Sequence, residues 1–370
     1  MSQTSPPAAA APAPADRPPD PPRRPATPTG TAIAAAVLAL ALAVSAVLAV
    51  GLGAAPVPPA ETARHLWAAL TGGTISADEV TRHQIVWQIR TPRVVLAAVV
   101  GAGLGAVGTA VQAMVRNPLA DPYVLGVSSG ASVGAVLVGT FGALSALGIH
   151  AVAAGAFLGA LGATVLVHAV ARSRTGLSPL RLVLTGVALS FGFQALMGVI
   201  VHLAPDGEAA SALLFWTMGG FGAASWESLP VVAAGVTAGI LLLRASARQL
   251  DAAALGDETA ASLGVDTDRL RRKLFVLTAV MTGAMVAVSG AIGFVGLVVP
   301  HVVRILVGAA HRRVLTVAPL AGAVLMVWVD LASRTLAAPR ELPLGVLTAL
   351  LGVPVFIALM RRRGYQFGGR

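Results

Sequence analysis

Few residues in this 370-residue chain could do chemistry, and none is arranged to do it on a bound substrate. There is no Gly-x-x-x-x-Gly-Lys-Ser/Thr loop to cradle nucleotide phosphates, no His-Glu-x-x-His helix to hold zinc, and no Gly-x-Ser-x-Gly turn to raise a nucleophile. The absence of cysteine removes thiolate chemistry and disulfides together. What stands out instead are His301, Arg304 and Asp330, ionisable residues in or beside apolar runs. Charge is costly there, so each needs a partner or a purpose. His301 follows Pro300, and a helix bend accounts for that pair better than metal ligation. No metal-ligating set is read, and the expected cofactor content is none.

A second class of polar residue sits on apolar helices at regular steps. Gly186, Ser190, Gln194 and Gly198 recur every four residues and form one stripe, and Gly345, Thr348 and Gly352 form a shorter one. Small, weakly polar groups suit a surface past which a bulky solute slides without being held. They equally suit hydrogen bonding and close packing between helices. Arg90, Arg93 and Arg334 lie at the ends of apolar runs. An arginine fork pairs with carboxylates in a fixed geometry, or snorkels to lipid headgroups, and Arg334 is also one helical turn from Asp330.

The elements that carry these residues are hydrophobic helices. Hydrophobic residues make up 56% of the chain and charged ones 11%, with a mean hydropathy of +0.81. That composition describes a multi-span membrane protein, not a soluble domain. Ten spans are expected, near 31–53, 94–115, 123–147, 150–171, 182–203, 229–244, 273–291, 294–310, 314–337 and 344–360. The apolar core of the first is longer than the ~7–15 residues of a signal sequence, so it reads as a retained helix. Residues 1–28, rich in Pro and Ala, read as a disordered tail, and 364–370 as a second one. The membrane-spanning body is 29–363, with an outer loop at 54–92 holding a short surface helix near 61–70, and a long inner loop at 245–272.

The basic residues set the orientation. With the N-terminus inside, nineteen of the twenty-six Lys and Arg fall in inner segments and six in outer ones. Both termini are therefore expected in the cytoplasm. The net charge of +10 is then a membrane signature and not a sign of nucleic-acid binding. Spans two to five and seven to ten are separated by an odd number of crossings, so they would form inverted repeats.

Between spans two and three lies a turn of unusual content, Arg116-Asn117-Pro118-Leu119-Ala120-Asp121-Pro122. It is preceded by Arg90-Thr91-Pro92-Arg93 and a Gly-rich run (Gly101, Gly105, Gly108, Gln112), and followed by Leu125-Gly126-Val127-Ser128-Ser129-Gly130-Ala131. Two further blocks are Ser289 to His301 and Glu341-Leu342-Pro343-Leu344-Gly345-Val346-Leu347-Thr348. In this order the blocks resemble the FecCD family, membrane subunits of ABC importers for iron-siderophores, haem and vitamin B12. The resemblance covers roughly residues 60–363.

It implies an all-α integral membrane protein of about ten helices, an inverted-repeat type II importer permease like that for vitamin B12. It implies no catalysis by this chain, and as partners two ATP-binding cassette ATPase subunits, an extracytoplasmic substrate-binding protein, a second permease copy (a homodimer, or a paralogous permease) and membrane lipid. Arg90, Arg93 and Arg334 match positions that dock the binding protein. Leu255, Gly256, Asp257, Glu258, Ala260, Leu263, Gly264 and Val265 match the region seated on the ATPase. Asn117, Pro118, Asp121, Pro122, Pro300 and His301 belong to the family's motif turns. The expected cargo is a ferric-siderophore, with haem and vitamin B12 as alternatives. A rival of another class is a proton-coupled secondary transporter using Asp330 or His301, which the lack of a second buried carboxylate weakens.

Overall fold

A computed structural model describes residues 28–53, 56–173, 176–204 and 207–361. The two expected tails therefore lie outside the described residues, apart from Pro28, which opens the first helix. The described chain is helical: α1 (Pro28–Gly51), α2 (Pro59–Thr71), α3 (Val80–Gln84), α4 (Thr91–Met114), α5 (Val127–Phe141), α6 (Ala151–Ala171) and α7 (Pro179–His202) make the first half. The second half holds α8 (Gly207–Thr217), α9 (Leu229–Ala245), α10 (Ala247–Ala254), α11 (Asp257–Ser262), α12 (Thr267–Ser289), α13 (Val295–Val307), α14 (His311–Thr335) and α15 (Leu344–Arg361). A two-residue antiparallel pair, Arg172–Ser173 with Gly176–Leu177, joins α6 to α7.

Each expected span contains a helix, but the helices are unequal. Among the described residues six are long and apolar enough to cross a membrane, and α9 with α10, bent by 54°, would make a seventh. The cores of α5, α13 and α15 are shorter apolar helices. A helix the length of α13 reaches about 20 Å at ~1.5 Å per residue, short of a bilayer core of about 30 Å. Non-helical backbone completes these spans, and in a membrane it must be satisfied inside the protein. Gly220 N–H donates to Ser289 O (2.9 Å), Leu344 N–H to Gly219 O (3.0 Å) and Gly345 N–H to Met218 O (2.9 Å), so the segment that follows α8 satisfies both the end of α12 and the start of α15. The break between α12 and α13 also holds Phe294 in the left-handed region at φ +66°, where a side chain is strained.

Two expectations are corrected here. Helix starts at Ala77 and runs unbroken to Met114, through a π-helical stretch at Ile85–Arg90, so residues 77–92 are not loop and Arg90 and Arg93 lie within a helix. Arg82, His83, Gln84 and Gln88 lower hydropathy without disfavouring helix, and hydropathy marks where a helix meets lipid, not where it begins. Helix α8 occupies a stretch expected as loop.

The core is built around α4, which packs against α14, α13, α12 and α9. Its glycine stripe is the reason it can. A Cβ added at Gly101 would strike Gly322 O, at Gly105 Ala318 O, and at Gly108 Gly296 O, so three glycines bring three backbones into contact. Gly130 and Gly134 of α5 meet Gly159 and Gly155 of α6 in the same way. Helix α1 lies on α14, with Trp328 Nε1 donating to Ser45 Oγ (2.9 Å).

Candidate functional site

At one end of the bundle the three expected arginines converge. Arg90 Nη1 donates to the carbonyls of Val50 (3.1 Å) and Gly51 (3.0 Å), and Arg334 to those of Ala49 (2.9 Å) and Leu52 (3.4 Å). The last carbonyls of α1 have no intrahelical partner, and cations there also oppose the helix dipole. Arg93 turns the other way: Nε donates to Asp330 Oδ1 (2.8 Å), and Nη1 and Nη2 grip both oxygens of Glu341 (2.7 and 2.9 Å). Arg334 Nε lies 3.1 Å from the other Asp330 oxygen. Asp330 is 0% exposed and clamped between two guanidiniums. Glu341 is at the rim, and the Arg93 fork holds its carboxyl below the usual carboxylate range. Sequence reasoning weighed the Arg334–Asp330 turn but missed Glu341 as a partner, because it lies 248 residues from Arg93.

The opposite end carries α10 and α11. Gly256 (φ +114°) and Gly264 (φ +79°) bracket α11 in conformations a side chain resists, which makes it a separate short knob. Ala260 seats it on the body, and Val265 N–H returns to Ala260 O (2.9 Å). Leu255 and Leu263 stand 65% and 61% exposed on either side, and Glu258 is exposed between them. Asp257 accepts from Arg116 of the motif turn and from Arg271 of α12 (2.5 Å). Asp251 of α10 accepts from the backbone N–H of His311 (2.9 Å) and pairs with its ring (2.7 Å). Burial pushes the Asp251 carboxyl up, but these bonds outweigh it and leave it lowered. A cleft of about 420 Å³ opens between the two anchors, lined by Gln112, Arg116, Asn117, Asp251, Arg304 and His311 among others.

The motif turn proves to be a fastening. Asn117 Oδ1 accepts from Leu119 N–H (2.9 Å), closing the turn that Pro118 begins. Asp121 caps two helices at once, accepting from Tyr123 N–H (2.9 Å) and, across the bundle, from Phe294 N–H at the start of α13 (3.2 Å). Tyr123 Oη accepts from Ile292 N–H, and Pro122 packs on Gly296. Gln112 donates to the carbonyls of Gly296 (3.3 Å) and Leu297 (3.1 Å), and its oxygen accepts from Arg304. Pro300 lies inside α13, with His301 buried beside it. Among the described residues no group of three His, Cys, Asp or Glu could hold a metal ion.

The expected path stripes divide. Gly186 is buried and, with Ser190, faces Gly126 at the start of α5, while Gln194 and Gly198 are exposed. An added Cβ at Gly198, or at Gly192 on the neighbouring face, would meet nothing within 4 Å. Leu184, Phe191 and Val199 are exposed on the same helix. On α15 the stripe turns inward: Gly345 lies on Met218 O, Gly352 on the Phe294 ring, and Thr348 lines an apolar cavity of about 90 Å³ with Val295, Val298 and Leu325.

This geometry, a helical body with elaborated ends, can be set beside known proteins. The model of the FecCD transport family matches residues 40–362. This chain belongs to the FecCD transport family. The permease is 42% identical over 287 residues to the haemin transport system permease protein of Yersinia pestis, covering 77% of this chain and 85% of that one. It is 40% identical over 285 residues to the cobalamin import system permease of Halobacterium salinarum (76% and 75% covered). It is 36% identical over 317 residues to the iron(3+)-hydroxamate import system permease of Bacillus subtilis (85% and 79% covered). Among solved structures, an inward-facing metal-chelate type ABC transporter superposes with a TM-score of 0.75 at 32% identity, covering 88% of this chain and 98% of that one. The permease is thus a multi-pass, non-catalytic subunit of an ABC importer with the type II fold, and its family implies ATPase and binding-protein partners.

Proposed function

We propose that this permease forms the membrane path for a ferric-siderophore, imported at the expense of ATP by two copies of the chain working with two ATPase subunits. The observation that carries the reading is the open face of α7. Leu184, Phe191 and Val199 are exposed along it, and Gln194 and Gly198 present only neutral groups. An apolar face this long is suited to a second copy, and the small neutral groups to a bulky chelate passing between the two. A bare ion would call for rings of charge or carbonyls. Relatives whose names include iron(3+)-hydroxamate and Fe(3+)-citrate import systems support a ferric chelate.

In this reading both termini are cytoplasmic, following the arginine bias. The arginine end then faces outward and receives the binding protein, with Glu341 the most accessible part of the cluster and Arg93 buried behind it. The exposed leucines flanking α11 seat on the ATPase. The test is uptake into vesicles holding permease, ATPase and binding protein, with labelled ferric hydroxamate, haemin and cobalamin offered separately. ATP-dependent entry of ferric hydroxamate is expected. Entry of haemin or cobalamin alone would replace the cargo and keep the importer, and uptake driven by a proton gradient without ATPase would remove both.

A further inference from the structure

The knob formed by α11 has two kinds of surface: exposed leucines that a partner can press, and a single carboxylate that ties it to the body. That carboxylate is Asp257. Its Oδ1 accepts from Arg116, at the end of the central helix, and from Arg271, in the first turns of α12. Glycines in left-handed conformations stand on both sides of α11, so the backbone there offers bends in place of a stiff connection. A force on α11 therefore reaches the body through side chains.

The two arginines lead to different places. Arg116 itself sits at φ +51°, strained for a residue with a side chain, and begins the turn whose Asp121 caps α13 through Phe294 N–H. Arg271 is buried on α12 and also donates to Leu177 O (3.4 Å) in the connection before α7. One carboxylate thus joins the knob to α13 by way of the turn, to α12 directly, and to the start of α7.

We infer that Asp257 is a positioning residue that passes the movement of α11 to α12 and to the motif turn, by holding Arg271 and Arg116 and not by contacting the ATPase. This rests on the reading of α11 as the ATPase seat. A contact residue and a transmitting one differ in what their loss does. Loss of a contact weakens assembly, whereas loss of a transmitter leaves the assembly intact and idle.

The experiment uses Asp257→Asn, Arg116→Gln and the double variant in the full permease, co-purified with its ATPase and reconstituted in vesicles. Each variant is expected to retain the ATPase and hydrolyse ATP. Uptake of ferric hydroxamate, haemin or cobalamin, whichever the wild type carries, should fall about tenfold per ATP, a typical size for a coupling free energy. The double variant should be no worse than Asp257→Asn alone, since that change already breaks the link to Arg116. Asp257→Glu, which keeps the charge, should recover part of the loss.

A second measurement needs neither cargo nor ATPase. The natural chain has no cysteine, so spin labels can be placed on cysteines introduced at Ser262 and Leu119 alone. Wild type should give one narrow distance between knob and turn, and Asp257→Asn a broadened one. Loss of the ATPase in Asp257→Asn but not in Arg116→Gln would overturn the proposal, as would multiplying effects or identical distance distributions. If wild type imports nothing with ATP, the importer reading fails, and the label distances still decide the role of Asp257.

Discussion

Helices α4 and α7 carry similar glycine stripes and use them in opposite ways. On α4, Gly101, Gly105 and Gly108 each lie against the backbone of another helix in the same chain. On α7, Gly186 at the start of the stripe meets Gly126, but Gly198 at its far end, and Gly192 on the neighbouring face, lie against nothing among the described residues. Spacing alone cannot tell these apart, since both place small residues on one face. The first stripe is spent on folding, and the far half of the second, Gln194 and Gly198, is left for whatever meets the chain from outside. Membrane helices gain little by burying apolar surface against each other, so close backbone approach carries much of the cohesion on the α4 side.

The largest effect is expected where the closed side is also charged. Arg93→Ala leaves Asp330 buried with half its partners gone, which costs about 3–5 kcal/mol. Most of the protein should fail to elute as a single species from detergent solution, and Asp330→Asn in the same chain should recover part of the loss. Next comes the direct contrast. Gly108→Leu puts a side chain where Gly296 O already sits, an overpacking cost of about 1–3 kcal/mol or more, read as a lower unfolding temperature. Gly198→Leu should unfold at the wild-type temperature and lose uptake instead. Equal destabilisation by both would break the comparison.

A smaller effect sharpens it at the rim of the closed side. The Glu341 carboxyl is held below its ordinary value of 4.5 by Arg93, so its contribution is fully present above that pH and is lost as pH falls through the lower folded value. Thermal stability should be level from about pH 7 to 5 and decline below about 4.5, with a shallower decline in Glu341→Gln. The smallest change belongs to the open side: Gly192→Ala should stabilise monomeric, detergent-solubilised permease by about 0.5–1 kcal/mol, because a helical glycine gains a methyl that strikes nothing. A loss there would mean that α7 is covered within one chain.

Much of this architecture is legible in the sequence. Ten apolar runs were legible because lipid demands them, and the short helix α2 because Gly72 ends it at φ +72°. The motif turn was legible as a motif but not as a fastening, because Asp121 reaches Phe294 across 173 residues. The arginines were found and their partners mostly were not, since Arg93 pairs with residues 237 and 248 positions away. Only Arg334 and Asp330, one turn apart, left a local trace. The α15 stripe shows a further limit: periodicity identifies a face, and only packing shows that Gly345, Thr348 and Gly352 turn inward.

Phe294 has a consequence for how this sequence can change over time. Its backbone, at φ +66°, suits glycine, and a left-handed conformation costs most other residues about 1–3 kcal/mol. Its ring, however, fills the space that the missing side chain of Gly352 leaves open. Phe294→Gly alone relieves the backbone and opens a hole, and a larger residue at 352 alone collides with the ring. Neither step is acceptable by itself, and the two together exchange one solution for another. Positions 294 and 352 therefore form a small evolutionary trap, crossed as a pair or not at all.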